Sequence, residues 1–168
     1  MKNNIVLIGM PGVGKSTAGV VLAKILGYQF LDADLVIQKC QGKLLKHIIR
    51  EKGVDGFVQI ENDVNKSIVP EKTVIATGGS VVYGEEAMNH YKEISTIVYL
   101  KLSLKTLKKR LGNLNSRGVV LKDGQTLEDI YNERIPLYEK YADVIVDEEG
   151  CDIEGTVQQI INGLNEQQ

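Results

Sequence analysis

The sequence has few of the residues that build disulfide frameworks and zinc sites. Among 168 residues there are two cysteines and two histidines. Cys40 and Cys151 lie far apart, no CxxC pair occurs, and only His47 and His90 could join the cysteines at a metal. Zinc sites and disulfide-stabilised folds need closely spaced sets of such residues. We therefore predict neither kind of site and expect both cysteines to be ordinary packing residues.

A strong net charge and long hydrophobic runs are also missing. The net charge is -2, so no basic face for nucleic-acid binding is expected. The apolar stretch near the amino terminus has four residues and is interrupted by Gly9 and Pro11, which fits neither a signal peptide nor a membrane span. We expect a single domain over residues 1–168 that is cytoplasmic and monomeric, with no nucleic-acid or membrane partner.

One octapeptide indicates nucleotide binding. Residues 9–16 read Gly-Met-Pro-Gly-Val-Gly-Lys-Ser, the phosphate-loop pattern of Gly, four residues, Gly, Lys and Ser. Its glycines let backbone N–H groups curl around phosphate oxygens, Lys15 reaches the β and γ phosphates, and Ser16 ligates Mg²⁺. An apolar β-rich run precedes the motif and an amphipathic helical pattern follows it, as the motif requires. We predict nucleotide contacts from Gly12, Val13, Gly14, Lys15, Ser16 and Thr17.

Strand and helix patterns alternate along the chain. Strands are predicted at 5–8, 28–31, 74–76, 96–100 and 144–146, and helices at 16–26, 64–69, 104–111, 127–141 and 153–164. This order favours an α/β fold of three layers, in which helices cover both faces of a five-stranded parallel sheet. Ligands of such sheets bind beyond the carboxyl ends of the strands, where Gly9, Asp32 and Gly78 would lie.

Two carboxylates follow the second predicted strand. Asp32 and Asp34 should share one face of that strand, because strand side chains alternate with a period of two. Beside a phosphate loop, one acid can hold hydrated Mg²⁺ while the other accepts a proton from an attacking hydroxyl. The alternative is that they cap a helix, since Asp34 precedes the apolar residues 35–37. Capping and catalysis can coexist.

Four features together resemble the shikimate kinase family: the phosphate loop, Phe-x-Asp-x-Asp at 30–34, Gly-Gly at 78–79, and Arg-x-Pro-Leu-Tyr at 134–138. The resemblance covers roughly residues 5–164. It implies a P-loop fold like that of nucleoside monophosphate kinases, with ATP and Mg²⁺ as cofactors. It also implies transfer of the γ-phosphoryl group to the 3-hydroxyl of shikimate, a step of aromatic amino acid biosynthesis.

The resemblance also implies roles for individual residues. Lys15 would bind the phosphates, and Ser16 and Asp32 would face Mg²⁺. Asp34 would hold the substrate hydroxyls and act as base. Gly78 and Gly79 would form the backbone wall of the acceptor site. Arg134 would bind the substrate carboxylate, Arg117 would close over the phosphates, and Arg110 would lie against adenine. The acceptor-binding region would span 32–62. Residues 112–125, with three glycines and two asparagines, would form a mobile lid.

The scarcity of arginine supports these placements. The chain has four arginines beside sixteen lysines, and three of the four occupy positions that the family uses. Guanidinium groups suit bidentate contacts with carboxylate or phosphate.

Three positions depart from the family pattern. Val58 stands where the family has an arginine that grips the shikimate carboxylate, and Ser80 replaces a third glycine. Residues 116–120 read Ser-Arg-Gly-Val-Val where an Arg-Pro-Leu-Leu type of sequence is usual. Arg50 or Lys52 could supply the missing charge. Otherwise the acceptor lacks a carboxylate or carries it elsewhere, with Ser80 binding a more polar substrate.

Three functions therefore remain open at this stage. The first is an ATP-dependent kinase of a small hydroxylated metabolite, with shikimate as the first choice. The second is a related kinase for a sugar acid, polyol or nucleotide, which Val58 favours. The third is a nucleotide-binding regulatory protein without catalysis; the presence of Lys15, Asp34 and Arg117 weighs against it, because a pure binder needs neither base nor lid.

Overall fold

The computed structural model describes residues 2–112 and 119–167, which form a parallel sheet between helices. The strands are β1 (Asn4–Ile8), β2 (Gln29–Asp32), β3 (Thr73–Ala76), β4 (Ser95–Lys101) and β5 (Val144–Asp147). The helices are α1 (Lys15–Leu26), α2 (Ala33–Gln41), α3 (Leu45–Lys66), α4 (Glu85–Ile94), α5 (Leu104–Leu111), α6 (Leu127–Tyr141) and α7 (Ile153–Glu166), and Val81–Tyr83 forms a 3₁₀ turn.

The sheet has the order β2-β3-β1-β4-β5, and every pairing is parallel. All of β1 and β3 is buried, which explains why these strands appear in the sequence as continuous apolar runs. In the sheet, β3 and β2 lie on one side of β1, and β4 and β5 lie on the other, so the strand order changes direction at β1. A crevice for ligands forms at such a change of direction, at the carboxyl ends of the strands.

Helices cover both faces of the sheet, as the sequence predicts. In α1, Gly19 packs so closely on Phe30 and Leu7 that an added Cβ would lie 2.7 Å and 3.3 Å from their side chains. Leu7 is in register with Val98, so the next residue of β4, Tyr99, faces the other side. There Tyr99 stacks on Tyr138 of α6, with ring centroids 5.1 Å apart. Hence α1 and α6 lie on opposite faces.

The five predicted strands are confirmed, but the helix predictions were incomplete. α2 and α4 were missed, and the predicted helix at 64–69 was wrong: those residues include only the end of α3, which spans Leu45–Lys66. α3 contains a kink at Gly53, whose φ of 70° and ψ of 178° are not helical. This kink shifts the apolar face along the helix and breaks the single periodic pattern that sequence analysis depends on.

The two cysteines differ in their exposure. Cys40 is exposed and is not a packing residue, whereas Cys151 is partly buried, and both are free thiols. Among the helices of the described ranges, none combines the length and apolar character needed to cross a membrane.

Candidate active site

The phosphate loop connects β1 to α1 and surrounds the Lys15 side chain. Gly12 and Gly14 both have φ of 88°, a conformation that favours glycine. α1 has no side-chain cap at its amino end, so its first N–H groups remain available to an anion. The Lys15 ammonium donates hydrogen bonds to the carbonyl oxygens of Gly9 at 2.7 Å and Met10 at 2.9 Å. This geometry fits phosphate binding.

Burial lowers the pKa of Lys15 to about 8, and the nearby Asp34 carboxylate opposes the shift. An ammonium ion that is poorly hydrated interacts more strongly with a phosphate than an exposed one does. The loop therefore holds a cation whose charge is stabilised when a polyanion binds.

Gly78 and Gly79, which follow β3, form one wall of a cleft beside the phosphate loop. The cleft has a volume of about 320 Å³. A Cβ on Gly79 would come within 2.7 Å of Pro11 and 3.0 Å of Arg134 Nη1, and one on Gly78 within 2.8 Å of Asp34 Oδ1. Both positions thus favour glycine, because a Cβ would clash with side chains that line the cleft.

Asp32 and Asp34 occupy different elements, which corrects the expectation that both lie on the strand. Asp32 ends β2 and caps α2, where its carboxylate accepts hydrogen bonds from the N–H groups of Asp34 at 2.9 Å and Leu35 at 3.3 Å. Its other oxygen accepts a hydrogen bond from Ser16 Oγ at 3.3 Å. Asp34 lies in the first turn of α2 and lines the cleft. The helix start, not strand alternation, brings these acids together.

Burial raises the pKa of Asp34 to about 6, with a further contribution from the Asp32 carboxylate, while Lys15 opposes the shift. A carboxyl group with this pKa is largely ionised at neutral pH yet basic enough to accept a proton from a reacting hydroxyl. Its position between Lys15 and the Gly78 wall suits a general base.

Glu61 of α3 is a cleft residue to which sequence analysis assigned no role. It is 1% exposed, and its Oε1 accepts a hydrogen bond from Ser80 Oγ at 2.5 Å. Within the described residues Oε2 has no hydrogen-bond partner, and a Cβ on Gly78 would lie 2.8 Å from it. Burial raises the pKa of Glu61 to about 7. Ser80 was singled out in the sequence, but its pairing with Glu61 across 19 positions is a tertiary contact.

The raised pKa of Glu61 predicts a pH-dependent cost in stability. The contribution of Glu61 to stability is complete below its usual pKa of 4.5 and is lost as the pH rises through about 7. Glu61→Gln removes this loss while keeping an oxygen for Ser80. Between about pH 4 and pH 8 the wild type should lose on the order of 3 kcal/mol of unfolding free energy relative to the variant, measured by urea denaturation. If the unfolding free energies of wild type and variant changed equally with pH, ionisation of the Glu61 carboxyl would not destabilise the fold.

Arg134, for which the resemblance implied binding of a substrate carboxylate, lines the cleft. It extends from α6, is 1% exposed, and donates hydrogen bonds through Nη2 to the Val120 carbonyl at 3.1 Å and through Nε to Tyr83 Oη at 3.3 Å. Nη1 is buried and has no partner among the residues that the structure describes. Since an unsatisfied buried donor is unfavourable, this nitrogen indicates where an anionic ligand group would bind.

Arg110 lines a second cavity of about 540 Å³ on the other side of the phosphate loop, with Val13, Gly14 and Thr17. Its Nη1 lies 3.3 Å from the Gly12 carbonyl and 3.4 Å from a carboxylate oxygen of Glu148. Burial raises the pKa of Glu148, a residue missed by sequence analysis, to about 7. The predicted lid arginine, Arg117, lies outside the described residues, as do its neighbours from 113 to 118.

The residues offered as replacements for an arginine at position 58 are not in the cleft. Val58 lines a small third cavity of about 170 Å³ that we call the Val58 cavity; its wall also includes Tyr83, Val120, Lys122 and Arg134. Arg50 and Lys52 are exposed on α3. In the described part of the chain neither lines the cleft or the Val58 cavity.

A family model described as shikimate kinase matches residues 11–165. The chain belongs to the shikimate kinase family. It is 38% identical over 161 residues to the shikimate kinase of Thermodesulfovibrio yellowstonii, covering 94% of this chain and 92% of that protein. It is 40% identical over 146 residues to that of Clostridium botulinum, covering 84% and 86%. The chain is therefore a small-molecule kinase with a P-loop that binds ATP.

Solved structures of shikimate kinases share the fold. The enzyme from Acinetobacter baumannii, in complex with shikimate, superposes with a TM-score of 0.88 at 28% identity over 98% of this chain and 94% of that one. The enzyme from Aquifex aeolicus gives 0.83 at 31% identity over 96% of both. A gluconokinase from Sinorhizobium meliloti has a TM-score of 0.58 at 17% identity over 98% of this chain and 93% of that one, which shows a shared fold only.

Proposed function

We propose that this protein transfers the γ-phosphoryl group of ATP to the 3-hydroxyl of shikimate. One observation carries the choice of acceptor: Arg134, whose buried Nη1 has no partner in the described residues, lines the same cleft as Asp34 and the phosphate loop. A carboxylate on Arg134 and hydroxyls near Asp34 match the two ends of shikimate. The Acinetobacter baumannii enzyme of the same fold binds this compound.

In the proposed reaction, Asp34 accepts the proton of the acceptor hydroxyl, and the oxygen of that hydroxyl attacks the γ-phosphorus. The bond from that phosphorus to the β-γ bridging oxygen breaks, and ADP leaves. Lys15 and the backbone N–H groups of the loop stabilise charge on the phosphates, which is how such reactions are mainly catalysed. The cavity beside Arg110 would take adenine. Arg117 would approach the phosphates from the lid at 112–125 and exclude water.

The residues beside the phosphate loop fit Mg²⁺. Ser16 and Asp32 offer oxygen ligands 3.3 Å apart, and Mg²⁺ binds through one or two such ligands together with water and substrate phosphates. Over residues 2–112 and 119–167, no set of three or more His, Cys, Asp and Glu side chains could hold a metal, so the ion would depend on ATP. Bound there, it would neutralise charge on the β and γ phosphates.

A second candidate function, phosphorylation of a different small acceptor, is favoured by Val58, which adds no charge beside Arg134. ADP release with a panel of acceptors separates the two. Shikimate should give the highest kcat/KM, ahead of gluconate and simple polyols. A higher value for another acceptor would replace shikimate as the substrate.

Val58→Arg should distinguish the two candidates further. If shikimate is the acceptor, a second guanidinium near Arg134 should tighten its binding by about tenfold. If the acceptor lacks a carboxylate, the new charge should instead weaken its use. The measurement is the shikimate dissociation constant of both proteins by calorimetry, with Gln59→Arg, at an exposed position of α3 that does not line the cavity, as the matched control. Unchanged or weaker shikimate binding in Val58→Arg alone would contradict the carboxylate assignment.

A further inference from the structure

The Val58 cavity adjoins the acceptor cleft, because Arg134 and Val120 line both. In the Val58 cavity, the part of the wall that Val58 forms is apolar. Because Nη2 and Nε of Arg134 already donate to Val120 and Tyr83, only Nη1 is left for a bound carboxylate, whose second oxygen would lack a cationic partner.

Lys122 also lines the Val58 cavity, and its backbone is held by a turn. Its N–H donates to the Gln125 side chain at 2.9 Å, and the Gln125 N–H donates to the Lys122 carbonyl at 3.0 Å. Two residues earlier, the Val120 carbonyl accepts a hydrogen bond from Arg134 at 3.1 Å. The segment that carries Lys122 is thus tied to Arg134 itself.

The two acids that line this cavity, Asp55 and Glu133, do not hold the Lys122 ammonium strongly. Glu133 accepts a hydrogen bond from Tyr83 Oη at 2.5 Å. Asp55 lies 3.6 Å from Lys122 Nζ, but the two side chains are 92% and 60% exposed. An ion pair this exposed is weak, so a carboxylate bound at Arg134 beside the Val58 cavity, which Lys122 also lines, could displace Asp55.

We propose that Lys122 binds the carboxylate of the acceptor together with Arg134 and so determines specificity for an acidic acceptor. This inference rests on the proposed function, since it requires a carboxylate in the cleft. Lys122 then supplies the charge that position 58 lacks. It takes no part in transfer of the phosphoryl group.

The test is Lys122→Gln, assayed for kcat and for the KM of shikimate and of ATP. Loss of a partly exposed charge contact should raise the shikimate KM by about fivefold and leave kcat and the ATP KM unchanged. The matched control is Lys108→Gln, because Lys108 is 55% exposed and lies 3.6 Å from Glu128. It should change none of the three constants.

Two further measurements exclude a merely structural effect. Lys122→Arg should keep the wild-type shikimate KM, and with the methyl ester of shikimate, Lys122→Gln and the wild type should have the same KM. If the wild type phosphorylates shikimate and Lys122→Gln keeps the wild-type KM, the role of Lys122 is wrong and the proposed function stands. If the wild type does not phosphorylate shikimate, both proposals fail.

Discussion

Lys15→Ala should lower turnover by about a thousandfold or more without unfolding the protein. The ammonium is the cation inside the phosphate loop, 2.7 Å and 2.9 Å from two loop carbonyls. Removal of one preorganised charge from a site of phosphoryl transfer removes transition-state stabilisation that water cannot replace. Because the side chain is desolvated in the folded protein, its loss also relieves an electrostatic cost of folding.

The measurement for this variant is ADP release at saturating ATP and acceptor, with circular dichroism as the test of folding. Lys24→Ala is the matched control, since Lys24 lies on the same helix and is exposed. It should keep the wild-type rate. A folded Lys15→Ala protein with wild-type turnover would show that the loop does not hold the reacting phosphate.

Asp34→Asn should lower turnover by about two to four orders of magnitude, the usual contribution of a general base, with ATP affinity nearly intact. Asp32→Asn should act differently, through the magnesium dependence, because Asp32 contacts Ser16 and caps α2. Titration of both variants with Mg²⁺ at fixed ATP separates the two roles. The same rate loss and magnesium dependence in both would contradict the assignment of separate roles to Asp32 and Asp34.

The pH dependence of kcat/KM is a second test of the role of Asp34 as a base. The base acts when ionised, so activity should rise with pH through about 6, and it should fall above about 8 as free Lys15 loses its proton. Glu61 faces the same glycine and has a raised pKa, so the acid limb belongs to both carboxyls. Glu61→Gln should retain an acid limb near 6, and Asp34→Asn should lose it.

Much of the fold could be predicted because its determinants are local. A buried parallel strand is an apolar run, and a phosphate loop is one contiguous motif whose chemistry is carried by its own residues. α2 and α4 were missed, and α3 was predicted only at its end. For α3 the cause is local, since the kink at Gly53 interrupts its periodic pattern.

The acceptor side of the site was less predictable because it depends on contacts between distant segments. The position of Asp34 follows from the start of α2 at Asp32 and not from strand alternation. The pair formed by Glu61 and Ser80 arises where α3 meets the segment after β3, and the position of Lys122 beside Val58 arises where α3 meets the segment before α6. No periodicity or motif in the sequence encodes these distances.

The most direct test of the account is the product formed by the wild-type protein from ATP, Mg²⁺ and shikimate. Phosphorus and proton NMR of the reaction mixture identify the oxygen that carries the new phosphate. The account predicts one phosphomonoester, on the 3-hydroxyl, formed in equal amount to ADP. Phosphate released to water alone, or an ester on another hydroxyl, would contradict the arrangement of Arg134 and Asp34 around a bound acceptor.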